Sequence, residues 1–416
     1  MTKATLRRIG LSLGADICWP ICFEEILARL DLEIPLGDER IRFEVERVTI
    51  EPFDLRQPVR YDVVLDRLTH WYHLSREWIK KAVLMDDTYV LNNPWTVQSM
   101  EKHTSYCAMM RLGMPVPDTV LLPPKEYADQ PDLQVTLERY ARFFDLAEVG
   151  AQIGYPAFMK PYDGGGWVGV TKSENDDELK KAYEESGRFV MHVQKGVVPY
   201  DGFVRCIGMG PQTRIVVYDP SAPLHQRYQD DQDPVASGTI TEAEAQVIRD
   251  TTLTVNTFFG WDFNSCEMIR KDGVWHPFDF ANPCPDAQVT SLHVHFPWVV
   301  ISKLRWALYC AATKRRMHRN LDWAPYFAIA EGDAPYEEKL AAYGKYARDR
   351  LDAEAFAEFD AKHLGHLDDV ARDFFAGDRA KEAVRLKVQA MFPEHEWDEF
   401  TDYFWAKIRT WREASH

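Results

Sequence analysis

Three shortages narrow the class of this protein before any motif is read. No apolar run in its 416 residues approaches the ~18–20 needed for a membrane-crossing helix, which excludes a helical membrane protein. The opening "MTKATLRRIGLSLGAD" has only a short apolar stretch and no small-residue cleavage pattern, so the expected location is the cytoplasm, with no membrane partner. Cysteine is scarce and odd in number: seven thiols scattered along the chain argue against a disulfide framework. The close pair Cys18 and Cys22 lacks two further ligands at metal spacing and reads as core or pocket lining. Positive charge is in deficit, with 49 basic against 65 acidic residues and a net charge of -16, so nucleic-acid phosphates would be repelled by most of the surface. The basic run "KRRMHRN" (314–320) is a local exception and reads as the solvated face of a helix. Internal repeats and low-complexity tracts are missing as well.

What is present is an ordinary globular composition, 46% hydrophobic and 27% charged, long enough for two to four domains. "LRRIGLSLGAD" reads as a strand into a loop, followed by a helix with Phe23, Ile26, Leu27 and Leu30 on one face. "RIRFEVERVTI" alternates like an edge strand, "YDVVLDR" is a short buried strand, "SREWIKKAVLM" a helix and "TYVLN" a strand. A helix is expected from "NNPWTVQSMEKHTSYCAMMRLG", with Asn93 as N-cap and Gly113 as stop. An acidic helical stretch follows near 126–150. Strands at "RFVMHVQKGVV", "GFVRCIGMG", "TRIVVYDP" and "VWHPFDFANP" are expected to share one mostly antiparallel sheet, with the long helix "TEAEAQVIRDTTLTVNTFFG" packed on it. Residues 298–416 read as helical. The expected divisions are 1–95, 96–190, 191–297 and 298–416.

The stretch "DGGGWVGV" (163–170) spells G-x-G-x-x-G through Gly164, Gly166 and Gly169. A dinucleotide-binding turn needs a helix that begins inside the loop, so that its N-terminal N–H groups hold pyrophosphate. Here a strand, "PAFMK", enters the loop and an extended stretch, "WVGVTKS", leaves it; helix starts only near Asn175 or Asp176. The loop therefore reads as the tip of a β-hairpin, a flap that folds over phosphates and offers backbone N–H groups, with Lys160 on the strand before it.

Taken in order, these features resemble the ATP-grasp carboxylate–amine ligases, the superfamily of D-alanine–D-alanine ligase, glutathione synthetase and ribosomal-protein glutamate ligases. The resemblance covers roughly residues 90–290. It implies an α/β (α+β) ATP-grasp fold with an N-terminal α/β domain, a glycine-rich hairpin lid and an antiparallel core sheet, here followed by a helical extension. Lys102 and Lys160 take the places of the two phosphate-binding lysines, and Gly164, Gly165, Gly166 and Trp167 form the flap. Gln194, Lys195 and Val197 fall where the hinge meets adenine, and Asp201 where a carboxylate holds the ribose. Arg205 and Arg227 are placed toward the transferred phosphate, with Arg214 a weaker candidate.

In "NSCEMIRKDGVWHPFDFANPCPD" the turn "KDG" puts Glu267 and Asp279 on neighbouring strands with Asn282 close behind, an all-oxygen trio suited to one or two Mg2+ ions. The family more often has its last two ligands as E-x-N; Asp279 and Asn282 stand three apart. The implied reaction joins a small-molecule carboxylate to an amine, an amino acid or peptide, through an acylphosphate, releasing ADP and phosphate. A kinase-like or regulatory ATP-binding protein is the alternative, and a Rossmann oxidoreductase a more distant one. The loop "GADICWP" and Arg67 are candidates to line the substrate pocket; His293 and His295 read as a surface pair. Assembly into a homodimer is left open.

Overall fold

The computed structural model describes residues 3–69, 72–99, 102–162 and 168–414. β1 (Lys3–Ser12) leads into α1 (Cys18–Leu30), whose Phe23, Ile26, Leu27 and Leu30 are buried along with Cys18 and Cys22. β2 (Glu33–Leu36), β3 (Glu39–Arg47), β4 (Val63–Asp66), α2 (His73–Asp86) and β5 (Tyr89–Leu91) complete a five-stranded sheet of order β2-β3-β1-β4-β5, in which β2 runs antiparallel to its neighbour. β3 thus lies inside the sheet, contrary to the edge position its alternation suggests. The alternation marks a solvated face: Arg40 and Arg42 project from it to Glu33 on β2, at 3.0 and 2.8 Å.

The segment after Asn93 forms α3 (Pro94–Ser99) and α4 (Lys102–Arg111) on either side of residues outside the description. Asn93 Oδ1 accepts from the Trp95 backbone N–H at 3.0 Å, and Gly113 sits at φ +81. β6 (Thr119–Leu122), α5 (Pro131–Tyr140), α6 (Leu146–Ile153), β7 (Ala157–Pro161), β8 (Thr171–Ser173), α7 (Asp176–Glu185) and β9 (Met191–Lys195) follow. Their strands form an antiparallel sheet of order β6-β9-β7-β8. β9 therefore does not join the strands that come after it. Met191 and Val193 bury with Leu122, Ala157 and Met159, and this shared apolar face selects its partners.

β10 (Gly202–Met209), β11 (Gln212–Val217), α8 (Glu242–Phe259), β12 (Phe263–Lys271) and β13 (Val274–Pro283) come next, the strands in order β11-β10-β12-β13. A capping box of Thr241 and Glu244 opens α8. Asp272 and Gly273, both at positive φ, make the tight turn between β12 and β13. The remainder is helical: α9 (Val289–Leu292), α10 (Phe296–Thr313), α11 (Ala324–Glu331), α12 (Tyr336–Arg350), α13 (Ala353–His363), α14 (Leu367–Phe374), α15 (Asp378–Gln389) and α16 (Trp397–Glu413). Among the described residues no helix is long and apolar enough to cross a membrane.

Contacts divide the chain into two units: residues 1–99, 204–265 and 283–416 form one, and 100–203 with 266–282 the other. In the first, buried Asp262 accepts from Tyr89 Oη at 2.8 Å and Trp306 Nε1 at 3.0 Å. The basic run 314–320 is not helical, and it is largely exposed as expected, with Lys314, Arg316, His318 and Arg319 facing solvent, but two of its arginines also bond the fold. Arg315 donates to Tyr89 Oη and the Arg350 carbonyl and pairs with Asp352; Arg319 donates to the Val83 carbonyl and pairs with Asp87. The charges of these two arginines are spent on carbonyls and carboxylates of the fold.

Gly210, in the turn between β10 and β11, has φ +53, and a Cβ there would meet the Trp306 ring. Gly210→Ala is expected to cost about 2–4 kcal/mol, combining left-handed strain with overpacking. A fall in the urea midpoint at unchanged slope is the expected reading; an unchanged midpoint would remove this account of the turn.

Candidate active site

The second unit brings six of the predicted residues together: Lys102, Lys160, Gln194, Glu267, Asp279 and Asn282. β7 pairs with β9 in the register Lys160↔His192 and Phe158↔Gln194. Alternation sends Ala157, Met159, Met191 and Val193 into the apolar cluster and leaves Lys160, His192 and Gln194 on the opposite face. All three are nonetheless buried, at 8%, 1% and 4% exposure. On α4, Lys102, Ser105, Tyr106 and Met109 are the buried residues, the i, i+3, i+4, i+7 stripe of a helix. Lys102 is therefore on the packed side of its helix, which a solvated lysine would avoid.

The polar contacts are specific. Lys160 Nζ donates to Gln194 Oε1 at 2.8 Å and to the Phe278 carbonyl at 3.3 Å, and lies 5.0 Å from the centre of the Tyr106 ring. Tyr106 Oη donates to that same carbonyl at 2.8 Å, fixing the backbone of β13 one residue before Asp279. Lys102 Nζ pairs with Asp279 Oδ1 at 2.6 Å, and Asn282 Nδ2 donates to the same oxygen at 3.2 Å. Glu267, 8% exposed, adds its charge to this face and acts on both Lys160 and Tyr106.

Burial lowers Lys160 to about 8, with Lys102 pushing the same way and Asp279 and Glu267 opposing. His192 falls to about 3 through burial and then the Lys160 charge, so its imidazole is neutral. The face thus carries two cations and two carboxylates that compensate one another, a charge set able to exchange partners.

Glu267, Asp279 and Asn282 supply only hard oxygen donors, which fits Mg2+. Of these, Asp279 Oδ1 is held by Lys102 and by Asn282 Nδ2. Among the described residues there is no group of three or more His, Cys, Asp or Glu that could hold a metal.

Gly164, Gly165, Gly166 and Trp167 lie outside the described residues. The strands flanking them pair antiparallel, Ala157↔Ser173 through Met159↔Thr171, and α7 begins after Asn175, which accepts from the Glu178 N–H. The loop joins two strands. Lys195 is exposed and Val197 half-buried. Asp201, with a side chain 66% exposed, pairs with Arg270 at 2.8 Å.

Arg205, Arg227 and Arg214 belong to the first unit. Arg205 donates to Ser265 Oγ at 3.0 Å and Tyr228 Oη at 2.7 Å, and Arg227 to the Ala222 carbonyl at 3.2 Å. His293 and His295 are not a surface pair: both are buried, at 1% and 0% exposure. His295 Nε2 donates to the Gln229 carbonyl at 2.8 Å, leaving Nδ1 to accept from Arg214 Nε at 3.4 Å. Burial lowers the two histidines to about 4 and about 3.

Tyr106 and His192 escape a reading of the sequence by motif. For His192 the signal was the polar–apolar alternation of "MHVQK", which puts it on the same strand face as Gln194; Tyr106 lies one helical turn after Lys102.

No known protein-family profile matches the chain. Over 44 residues, 11% of its length, it is 46% identical to a D-alanine–D-alanine ligase of Streptococcus pneumoniae (strain CGSP14), and the match spans 13% of that protein. In structure it is similar to ATP-grasp proteins. A RimK domain ATP-grasp protein from Sphaerobacter thermophilus has 14% identity and a TM-score of 0.45, covering 71% of this chain and 97% of that one. D-alanine–D-alanine ligase from Bacillus anthracis, complexed with ATP, has 16% identity and a TM-score of 0.46, covering 74% and 98%.

Proposed function

We propose that this protein is an ATP-dependent carboxylate–amine ligase of the ATP-grasp type. The observation that carries the reading is the face on which Lys102, Lys160, Gln194, Glu267 and Asp279 gather. Buried lysines facing carboxylates suit a polyanion bound with a divalent cation. Lys160 and Lys102 hold phosphate oxygens; Lys102 becomes available as Asp279 turns to the metal. Bound Mg2+ would neutralise the β and γ phosphates, with Glu267, Asp279 and Asn282 holding it. Gln194, Lys195 and Val197 meet adenine, and Asp201 the ribose, once it exchanges Arg270 for the hydroxyls. For Arg205 and Arg227 the proposed contact with the transferred phosphate rests on their place in the motif order.

In the first step a substrate carboxylate oxygen forms a bond to the γ-phosphorus as the bond to the β-phosphate oxygen breaks, giving an acylphosphate and ADP. In the second, an amine nitrogen attacks the acyl carbon, phosphate leaves, and the amine loses a proton. The chain's own work is positioning, charge neutralisation and exclusion of water from the acylphosphate.

A screen for ADP release over pairs of amino acids and carboxylic acids tests this reading. Release that requires both a carboxylate and an amine supports it, whereas a stable phosphorylated product from one substrate alone would identify a kinase instead.

A further inference from the structure

Between β11 and α8 the chain runs through a long connection, residues 218–241, of a kind uncommon in compact domains. Its one-turn helix, Leu224–Gln226, buries no residue, and Leu224 is 70% exposed. Past this turn the chain returns to the end of β11. The Asp219 N–H donates to the Arg227 carbonyl at 2.8 Å, and the Gln229 N–H to the Val217 carbonyl at 2.9 Å. Tyr228 Oη accepts from Arg205 at 2.7 Å, with the guanidinium 5.7 Å from the ring centre. The placement of both arginines, 205 and 227, therefore depends on the segment 227–230.

That segment is gripped by the last helix of the same unit. Thr401, Phe404, Ile408 and Trp411 form the buried face of α16, Trp411 packing 5.6 Å from Phe375. Beside that face Phe400, Tyr403 and Lys407 follow at i, i+3 and i+7, a second stripe of the helix. The His225 ring sits edge-on to Phe400 and Tyr403, at 5.5 and 5.6 Å. Lys407 pairs with Asp230, and its ammonium lies 5.4 Å from the Tyr403 ring centre. His293 Nδ1 is 3.5 Å from the same carboxylate, but it accepts from the Val294 N–H at 2.8 Å. Burial lowers His293 to about 4, with Asp230 opposing, so its imidazole is neutral near pH 7. The cation at Asp230 is Lys407.

We propose that α16 straps this loop and that Lys407 is a positioning residue: through Asp230 it holds segment 227–230 on β11 and so sets Arg227 and Arg205. The consequence for turnover rests on the ligase reading; the strap itself does not. Donors that stabilise a developing charge must be fixed before the charge appears. A loop without a core of its own cannot fix them, and a contact from a helix that is itself buried supplies what the loop lacks.

The test uses the full chain and trypsin under native conditions. Hydrogen bonds to the end of β11 flank the Arg227–Tyr228 peptide bond on both sides, so cleavage there reports opening of the segment. Lys407→Met and Asp230→Asn are each expected to speed the appearance of the peptide beginning at Tyr228 about 5-fold, with the melting temperature little changed. The double variant should be cut no faster than either single one, and Lys407→Arg should be cut like wild type. His225→Ala removes the separate aromatic contact and should multiply the Lys407→Met effect by about 3-fold.

With the substrates found by ADP release, Lys407→Met and Asp230→Asn should lower kcat roughly 10-fold at unchanged KM for ATP, and Lys407→Arg should restore it. A lysine that only packs would lower the melting temperature and leave kcat and cleavage after Arg227 as they are. Cleavage at the wild-type rate in both Lys407→Met and Asp230→Asn overturns the strap. Faster cleavage with wild-type kcat overturns the positioning role. Faster cleavage in the variants of a protein that releases ADP with no substrate pair leaves the strap standing and defeats the ligase reading.

Discussion

Lys160→Met is expected to weaken ATP binding by roughly 30- to 1,000-fold, about 2–4 kcal/mol, whether or not Mg2+ is present. The side chain is nearly isosteric and its site is buried, so the change removes charge and little volume. What it leaves is Gln194 Oε1 without its donor, a cost of about 1 kcal/mol to the fold. Stability without ligand should therefore change little, while stabilisation by nucleotide disappears. Calorimetric titration of ATP with EDTA, and again with Mg2+, gives both numbers. Retention of wild-type affinity in both would show that Lys160 does not touch the phosphates.

Asp279→Asn should behave in the opposite sense without metal. The aspartate pairs with Lys102 at 2.6 Å, so neutralising it frees that lysine for phosphate, and affinity for ATP in EDTA should be retained or improved. The increment that Mg2+ adds should be lost, and ADP release should fall by about three orders of magnitude, the scale set by removing charge stabilisation from a phosphoryl transition state. Glu267→Gln should share the loss of turnover and of the Mg2+ increment. The gain in EDTA is expected of Asp279→Asn, whose carboxylate pairs with Lys102. A variant that binds Mg-ATP and turns over like wild type would take the residue out of the metal set.

Lys160 and Asp279 also show how far local pattern reached. Lys160 was legible because a strand must lead it into a glycine loop, and strand entry and exit are written in short-range polarity. Glu267 and Asp279 were legible because "KDG" permits a tight turn through its positive-φ positions, which sets two carboxylates on adjacent strands. The basic run 314–320 went the other way. Its sequence carries charge but no helical stripe, and only the positions of Tyr89, Asp87, Arg350 and Asp352 make Arg315 and Arg319 parts of the scaffold. His293 and His295 failed similarly: two polar residues among apolar ones look solvated until the Gln229 carbonyl and Arg214 supply partners to His295, and the Val294 N–H and Asp230 to His293.

By itself the sequence determined the elements, the hairpin around the glycine loop, and the residue types able to hold phosphate and a hard cation. Those depend on alternation, helical spacing and turn chemistry, which act over a few residues. The tertiary structure alone decided that β9 joins β6 and β7, that Lys102 faces Asp279, and that Lys303 is buried against Trp19. Each of these is a choice among partners far apart in the chain, settled by which apolar faces bury together, and no local pattern encodes it.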